Sequence, residues 1–273
     1  MVKPHRDSTV DNLGQSLLRG FALLEELSRR GPSQLGQIAT ALSLPKSTVH
    51  RLLHLLQQQG YVAQDPESRA YRLTLKLFEV GYRVVAATGL REKALPLMEQ
   101  LSSQTGETVL LSALDGIDVV YVEKIESLAA VRLTSPIGSR VPLHATAAGK
   151  AILSGYWPDS WRSLLAASTK EDGSLPRLTD ATIVDLESLD EELAKVRRHG
   201  YAVDDGESMT RVRAVAAPIR DFRGRTVAAI SVAGPDFRLP DDQLSGIAQA
   251  VMEVAKEIEL ATSGDLSARS SIA

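Results

Sequence analysis

The stretch Ala41-Leu42-Ser43-Leu44-Pro45-Lys46-Ser47-Thr48-Val49-His50-Arg51-Leu52-Leu53 decides how the first third of the chain folds. From Pro45 onward it reads as a helix, because a proline in a first turn lacks an N–H that would have no partner there anyway. Val49, Leu52, Leu53 and Leu56 recur at i, i+3, i+4 and i+7 and form an apolar anchor face. The opposite face carries Ser47, Arg51, His54 and Gln58, flanked by Thr48 and His50. Every one of these side chains donates or accepts hydrogen bonds. Ser43 falls where a tight turn between two helices wants a positive φ, which in a non-glycine residue costs on the order of 1 kcal/mol.

On the N-terminal side, Leu17, Leu18, Phe21, Leu24 and Leu27 stand at helical spacing, and Gly31-Pro32 stops that helix. Ser33 is expected to cap a second helix carrying Leu35, Ile38, Ala39 and Leu42. On the C-terminal side the third helix is expected to run to about Gln59, with Gly60 ending it. Tyr61-Val62-Ala63 and Ala70-Tyr71-Arg72-Leu73, separated by the polar run 64–69, read as a β-hairpin. Two helices joined by a tight turn and followed by a hairpin make a winged helix-turn-helix. Such a module puts its second helix into the DNA major groove, N-terminus first. Arg51 is suited to a guanine edge, and Lys46, Ser47 and Thr48 to phosphates at the helix start. Arg69 and Arg72 of the hairpin reach toward backbone phosphates. With His50 and His54 these are the candidate DNA contacts. A protein-binding three-helix module is the alternative reading of the same face. His50 and His54 have a zinc-compatible spacing, but no Glu follows His50 and no third ligand is evident, so no metal is expected.

Charge supports the division. Residues 1–90 hold 11 Lys+Arg against 7 Asp+Glu, whereas residues 91–273 hold 20 against 27. A basic module on an acidic body fits a polyanion partner for the first part alone; a solvated basic face gives the same count. The length of 273 residues suggests about two domains. No apolar run approaches the roughly 20 residues of a membrane span. Met1–Asp7 has no apolar stretch behind its charges, so no secretory signal is expected. Cysteine is absent, which excludes disulfides and thiolate chemistry and fits a cytoplasmic location.

Residues 75–104 read as helical, with a bend at Thr88-Gly89. Strands are expected at 108–113 and 119–123 around Asp115-Gly116, and at 213–219 and 226–233 around Asp221–Gly224. Helices are expected at 146–154 and 180–199, and from Asp241 or Asp242 along Leu244, Ile247, Val251, Val254 and Ile258. Strands bracketed by helices make this part α+β or α/β. In strand 226–233, Val227, Ala229, Ser231 and Ala233 share one face and Ala228, Ile230 and Val232 the other. Ala214 and Ala216 share a face of the neighbouring strand. Such small residues leave room for a helix or a ligand. The start of the helix at Thr146-Ala147-Ala148-Gly149 has almost no side-chain bulk, and its free N–H groups suit a carboxylate. Asp204 follows an apolar strand and either accepts from a ligand hydroxyl or caps a turn. No enzyme is expected. Gly149-Lys150 lacks the remaining P-loop residues, Ser154-Gly155 lacks the glycine of a nucleophile elbow, and His144 and His199 have no evident serine and acid partners.

The run Ala41–Leu53 resembles the helix-turn-helix of the IclR family of bacterial transcription regulators. Gly200-Tyr201-Ala202-Val203-Asp204-Asp205-Gly206-Glu207, followed by Arg213–Ile219, resembles the family's C-terminal signature, and Leu143–Ala151 resembles a third family segment. The match covers about residues 14–262. One departure is Arg220, where the signature usually has an aromatic residue or His; it reads as a surface change at a strand end. The resemblance implies an α+β chain. Its parts are a winged helix-turn-helix at 10–75, a linker helix at 76–90, a GAF-like α/β effector-binding domain at 91–262 and a loose tail at 263–273. It implies a homodimer or dimer of dimers on an operator in double-stranded DNA, acting as repressor or activator, with no cofactor. It also implies a small carboxylate effector and places the family pocket on Ala147, Ala148, Asp204, Ala214, Ser231 and Ala233. Alanine at 214 and 233 leaves Ser231 and Asp204 as the polar side chains of that set, which favours an aromatic or largely apolar acid over a sugar acid or glyoxylate. A ligand-independent architectural protein, using its C-terminal domain only to oligomerise, is the alternative.

Overall fold

The computed structural model describes residues 8–269, and side chains within 14–262. The reading of Met1–Asp7 lies outside the described residues. The chain forms two compact units that meet in sequence at Val84 and Val85.

The first unit contains α1 (Ser8–Arg30), α2 (Leu35–Ala41), α3 (Lys46–Gln58) and an antiparallel hairpin of β1 (Val62–Gln64) and β2 (Tyr71–Leu73). Its core is Leu23 and Leu27 of α1, Ile38 and Ala39 of α2, Val49, Leu52 and Leu53 of α3, and Val62 and Tyr71 of the hairpin. The anchor face of α3 is therefore the one its periodicity predicts. Ser43 has a φ of 52°, as the tight turn requires. Pro45 stands one place earlier than read, as the N-cap of α3 with φ −57° and ψ 137°. Ser33 does not cap α2. Its backbone pairs with Tyr71 in an isolated antiparallel bridge, and its hydroxyl donates to Gly31 O at 3.0 Å. The cap falls to Gln34, whose N–H donates to Gln37 Oε1 at 2.8 Å. The apolar stripe of α1 is only half used: Leu17, Leu18 and Phe21 are 62%, 68% and 54% exposed. At 1.5 Å per residue, a helix of 23 residues outreaches the small core it serves.

Helix α4 (Lys76–Ala86) straddles the boundary, and none of its residues is buried. After Gly89, with φ 63°, the second unit begins with α5 (Leu90–Thr105). Six strands follow: β3 (Thr108–Asp115), β4 (Asp118–Ile125), β5 (Arg140–Pro142), β6 (Ala202–Asp205), β7 (Val212–Arg220) and β8 (Thr226–Pro235). They lie in the order β5-β4-β3-β8-β7-β6 with every neighbouring pair antiparallel. Helices cover both faces, so the unit is α+β, a GAF-like arrangement. On one face α5 and α9 (Asp241–Arg269) pack on Ala217 and Ile219 of β7 and on Ala228, Ile230 and Val232 of β8. On the other, α6 (Ala147–Leu153), α7 (Pro158–Leu165) and α8 (Leu186–His199) pack with Ala214, Ala216, Ala229 and Ala233. The alternation read from strand 226–233 is thus the division between the two cores.

Three boundaries differ from the sequence reading. Helix α8 starts at Leu186, not 180, because Asp185 caps it by accepting from Ser188 N at 2.7 Å. Residues 179–182 form a turn in which Thr182 Oγ1 accepts the N–H groups of Leu178 and Thr179. Asp204 lies within β6 rather than after a strand. A tail was expected from 263, but α9 continues to Arg269; residues 270–273 lie outside the described residues. Arg220 is exposed at the strand end, and its N–H donates to Glu259 Oε1 at 2.8 Å.

Because α4 buries nothing while α5 is anchored by Ala94, Met98 and Leu101, limited proteolysis is expected to cut between residues 75 and 92. The C-terminal fragment is expected to keep a cooperative thermal transition. First cuts inside 107–235, or an unfolded fragment, would contradict this division.

Candidate nucleic-acid interface and ligand cavity

In the first unit, Lys46, Ser47, His50, Arg51 and His54 of α3 are exposed, and Thr48 is half-buried. Ser47, Arg51 and His54 stand on the side of α3 opposite Val49, Leu52 and Leu53, with Thr48 and His50 on its flanks and Lys46 at the helix start. His54 Nε2 lies 3.1 Å from Gln58 Nε2 one turn on. In the wing, Asp65 accepts from Ser68 N and Ser68 Oγ at 2.7 and 2.8 Å, bonds that hold its carboxyl below the usual range. This turn presents Arg69, at φ 59°, and β2 carries Arg72; both are exposed.

In the second unit, the bulk-free packing of α6 against the sheet leaves a cavity of about 240 Å³. Ala147, Ala148, Asp204, Ala214, Ser231 and Ala233 all line it. Ser231 sits opposite Leu110 of β3 and Ala216 of β7, in the middle of the sheet. Thr146 caps α6 by accepting from Gly149 N at 3.1 Å and donates to Pro142 O at 3.0 Å. The amides of Ala147 and Ala148, in the first turn, have no partner within the helix. Leu110, Leu133, Val141, Leu178, Met209 and Val212 make the wall largely apolar.

The cavity is more polar than the six sequence positions suggested. Tyr121, Thr134, Ser135, Ser139, Thr146 and Ser208 also line it. Thr146 is the N-cap of α6; the others come from β4, from the segment leading into β5 and from the turn after β6, and their arrival depends on long-range strand pairing that no local pattern reports. Among the described lining residues there is no Lys, Arg or His.

Asp204 is the one charged group among the described lining residues and is 2% exposed. It both lines the cavity and organises a turn: Oδ1 accepts from Glu207 N at 2.7 Å and Ser208 N at 3.2 Å, and Oδ2 accepts from the Ser208 hydroxyl. Burial raises its pKa against the pull of these donors and of Lys150. Tyr121 is pushed up to about 12 by burial and by Asp204. Behind Asp204, the fully buried Lys150 of α6 makes an ion pair with Glu207 and lies 3.8 Å from Glu192. Glu207 is raised to about 7, chiefly by desolvation, with Asp204 and Glu192 adding and Lys150 opposing. Lys150 and Glu207 lie within the two C-terminal family segments, and neither was among the residues the sequence marked as site candidates. A lysine in a run of Ala and Gly at the start of a buried helix is the signal that was available, since such a charge needs a carboxylate.

Comparison with known proteins matches each unit separately. Residues 16–66 match the IclR helix-turn-helix domain, and residues 82–260 match the bacterial transcriptional regulator IclR C-terminal domain. The chain belongs to the IclR family. It is 36% identical over 240 residues to the HTH-type transcriptional regulator XynR of Escherichia coli, covering 88% of this chain and 93% of that protein. It is 36% identical over 253 residues to the acetate operon repressor of Salmonella typhimurium, covering 92% and 90%. An IclR homolog from Microbacterium hydrocarbonoxydans, crystallised with 4-hydroxybenzoate, superposes with a TM-score of 0.77 at 28% identity over 90% of this chain and 98% of that one. IclR-family proteins are DNA-binding transcription regulators, not enzymes, and this chain is a regulator of that kind. No described helix is long and apolar enough to cross a membrane.

The raised Glu207 pKa sets a direction for stability. The unfolded chain ionises this group near 4.5 and the folded one near 7, so the stability it supplies is full below about pH 4.5 and lost as pH rises to about 7. Thermal and urea unfolding between pH 5 and 8 is expected to show that decline, up to about 3 kcal/mol from this group. Glu207→Gln is expected to flatten it; parallel curves for the two proteins would contradict the assignment.

Proposed function

We propose that this IclR-family regulator binds an operator as a homodimer or dimer of dimers and responds to a small monocarboxylate held in the α6–sheet cavity. It acts on DNA through α3 and the wing, in the cytoplasm. The observation that carries the effector reading is the convergence of Ala147, Ala148, Asp204, Ala214, Ser231 and Ala233 on one small, mostly apolar cavity. At about 240 Å³ it lies just below the roughly 300–1,000 Å³ of common ligand sites, which favours a compact ligand. The carboxylate meets the Ala147 and Ala148 amides and the Ser231 hydroxyl. An aromatic or largely apolar body lies over Ala214 and Ala233. The structural relative bound to 4-hydroxybenzoate supports this class. The hydroxyls of Tyr121, Ser139 and Ser208 give room for one polar substituent on that body.

A second copy of the chain is supported by α4, where Leu75 just before the helix and Phe78, Val80, Tyr82 and Val84 on it are exposed. So many large apolar residues on a helix with nothing buried mark an interaction surface.

For DNA, Lys46, Ser47 and Thr48 serve phosphates at the start of α3, His50, Arg51 and His54 face the groove, and Arg69 and Arg72 flank it. Arg51→Ala is expected to weaken binding to an operator selected from random-sequence DNA by about 1–3 kcal/mol, with a smaller loss on non-specific DNA. Equal losses on both would assign Arg51 to phosphate alone. For the effector, calorimetric titration with benzoate, 4-hydroxybenzoate, glyoxylate and gluconate is expected to favour the aromatic acids. Ser231→Ala is expected to weaken them by about 0.5–3 kcal/mol, the range for one hydrogen bond to a charged group. Tight binding of gluconate with no response to the aromatic acids would overturn this choice of class.

A further inference from the structure

The charged group behind the cavity has a consequence for how an anion enters it. Asp204 faces the cavity, and an incoming carboxylate meets no cation at the wall. The nearest buried cation, Lys150, is already paired with Glu207. The surrounding charges do not alter the balance. Glu192 on α8 is paired with Lys195 at 3.1 Å, and Asp205 on β6 with Arg213 of β7 at 2.7 Å. Arg213 is shared with Asp241 at 2.8 Å, and Tyr121 of β4 is neutral. An anion beside Asp204 therefore adds a second negative charge to a buried site that has no spare positive one.

One atom in this group is built to take a proton. Glu207 Oε2 is buried and without a hydrogen-bond partner among the described residues, whereas Oε1 faces Lys150. Both oxygens of Asp204 already accept N–H or O–H donors, which favour its charged form. We propose that the cavity takes up its anionic effector together with one proton, and that the proton goes to Oε2 of Glu207. Oε1 of the neutral acid still accepts from Lys150, and the proton holds the net charge of Lys150, Glu207, Asp204 and the effector at the value the site carried before binding. The backbone of Glu207 is bonded into the cavity wall. Its N–H donates to Asp204, and its carbonyl accepts at 2.7 Å from Thr182 Oγ1, the same oxygen that accepts the N–H of the lining Leu178. With Glu207 raised to about 7, the coupling operates near neutrality.

This rests on the reading of the cavity as a carboxylate site. The test is calorimetric titration of the full-length protein with benzoate and 4-hydroxybenzoate, at pH 6 in phosphate and in Bis-Tris and at pH 8 in phosphate and in Tris. The difference in heat between the buffers gives the protons taken up. Nearly one proton is expected at pH 8 and nearly none at pH 6, with Kd about tenfold weaker at pH 8. Glu207→Gln, which mimics the neutral acid, is expected to bind with the same Kd at both pH values and no uptake. Should that variant fail to fold, the carboxyl ¹³C shift of Glu207 in the wild type reads the same event and is expected to move to the neutral value on binding at pH 8. Binding without uptake at pH 8, or uptake that persists in Glu207→Gln, overturns the proposal and leaves the carboxylate site standing. If neither acid binds, the carboxylate site itself fails, and this inference falls with it.

Discussion

Small side chains hold α6 close to the sheet, and the second unit is arranged around that contact. A Cβ at Gly149 would lie 2.1 Å from the carbonyl oxygen of Leu143, so only glycine allows the chain to turn back on itself there. Ala147, Ala148 and Ala151 on α6 face Ala214, Ala216, Ala229 and Ala233 on β7 and β8. Larger residues at these positions would either push the helix away or fill the space beneath it. The same close approach buries Lys150 completely, and a buried ammonium must be paired. The cavity, the ion pair behind it and the turn capped by Asp204 are thus consequences of one packing choice.

Much of this was legible in the sequence, for identifiable reasons. The period of 3.6 in Val49, Leu52, Leu53 and Leu56 and the need for positive φ at Ser43 are local signals, and local signals fixed the helix-turn-helix. The alternation in β8 divided the two cores because side chains in a strand have a strict period of two. What periodicity does not report is how much core is available. The stripe read on α1 is continuous, yet of its five residues Leu27 alone is fully buried and Leu24 partly so, while Leu17, Leu18 and Phe21 remain outside; Leu23, which the stripe did not include, is buried in their place. Ser33 looked like a cap because its residue type suits one, but a long-range bridge to Tyr71 claimed its backbone first.

The cavity shows the same division. Its floor was readable from alanines in strands and at the start of α6. Its hydroxyl-bearing wall was not. Tyr121, Ser139 and Ser208 are brought in by the β4–β5 pairing and by the turn that Asp204 caps. Lys150 and Glu207 are 57 residues apart, and nothing in either motif names the other as its partner. Asp204 serves both as turn cap and as cavity wall, two roles the sequence offered as alternatives.

The proposed function requires that an acid in the cavity change what α3 does on DNA. Coupling of this kind amounts to about 1–3 kcal/mol in typical allosteric proteins, or roughly 5–150-fold in affinity. The direct measurement is titration of the selected operator with the full-length protein, with and without saturating benzoate or 4-hydroxybenzoate, alongside Ser231→Ala. The account predicts that the acid shifts wild-type operator affinity at least about fivefold. In Ser231→Ala it predicts unchanged affinity without acid and a response displaced to higher acid concentration. An acid that binds the protein yet leaves operator affinity unaltered would contradict it.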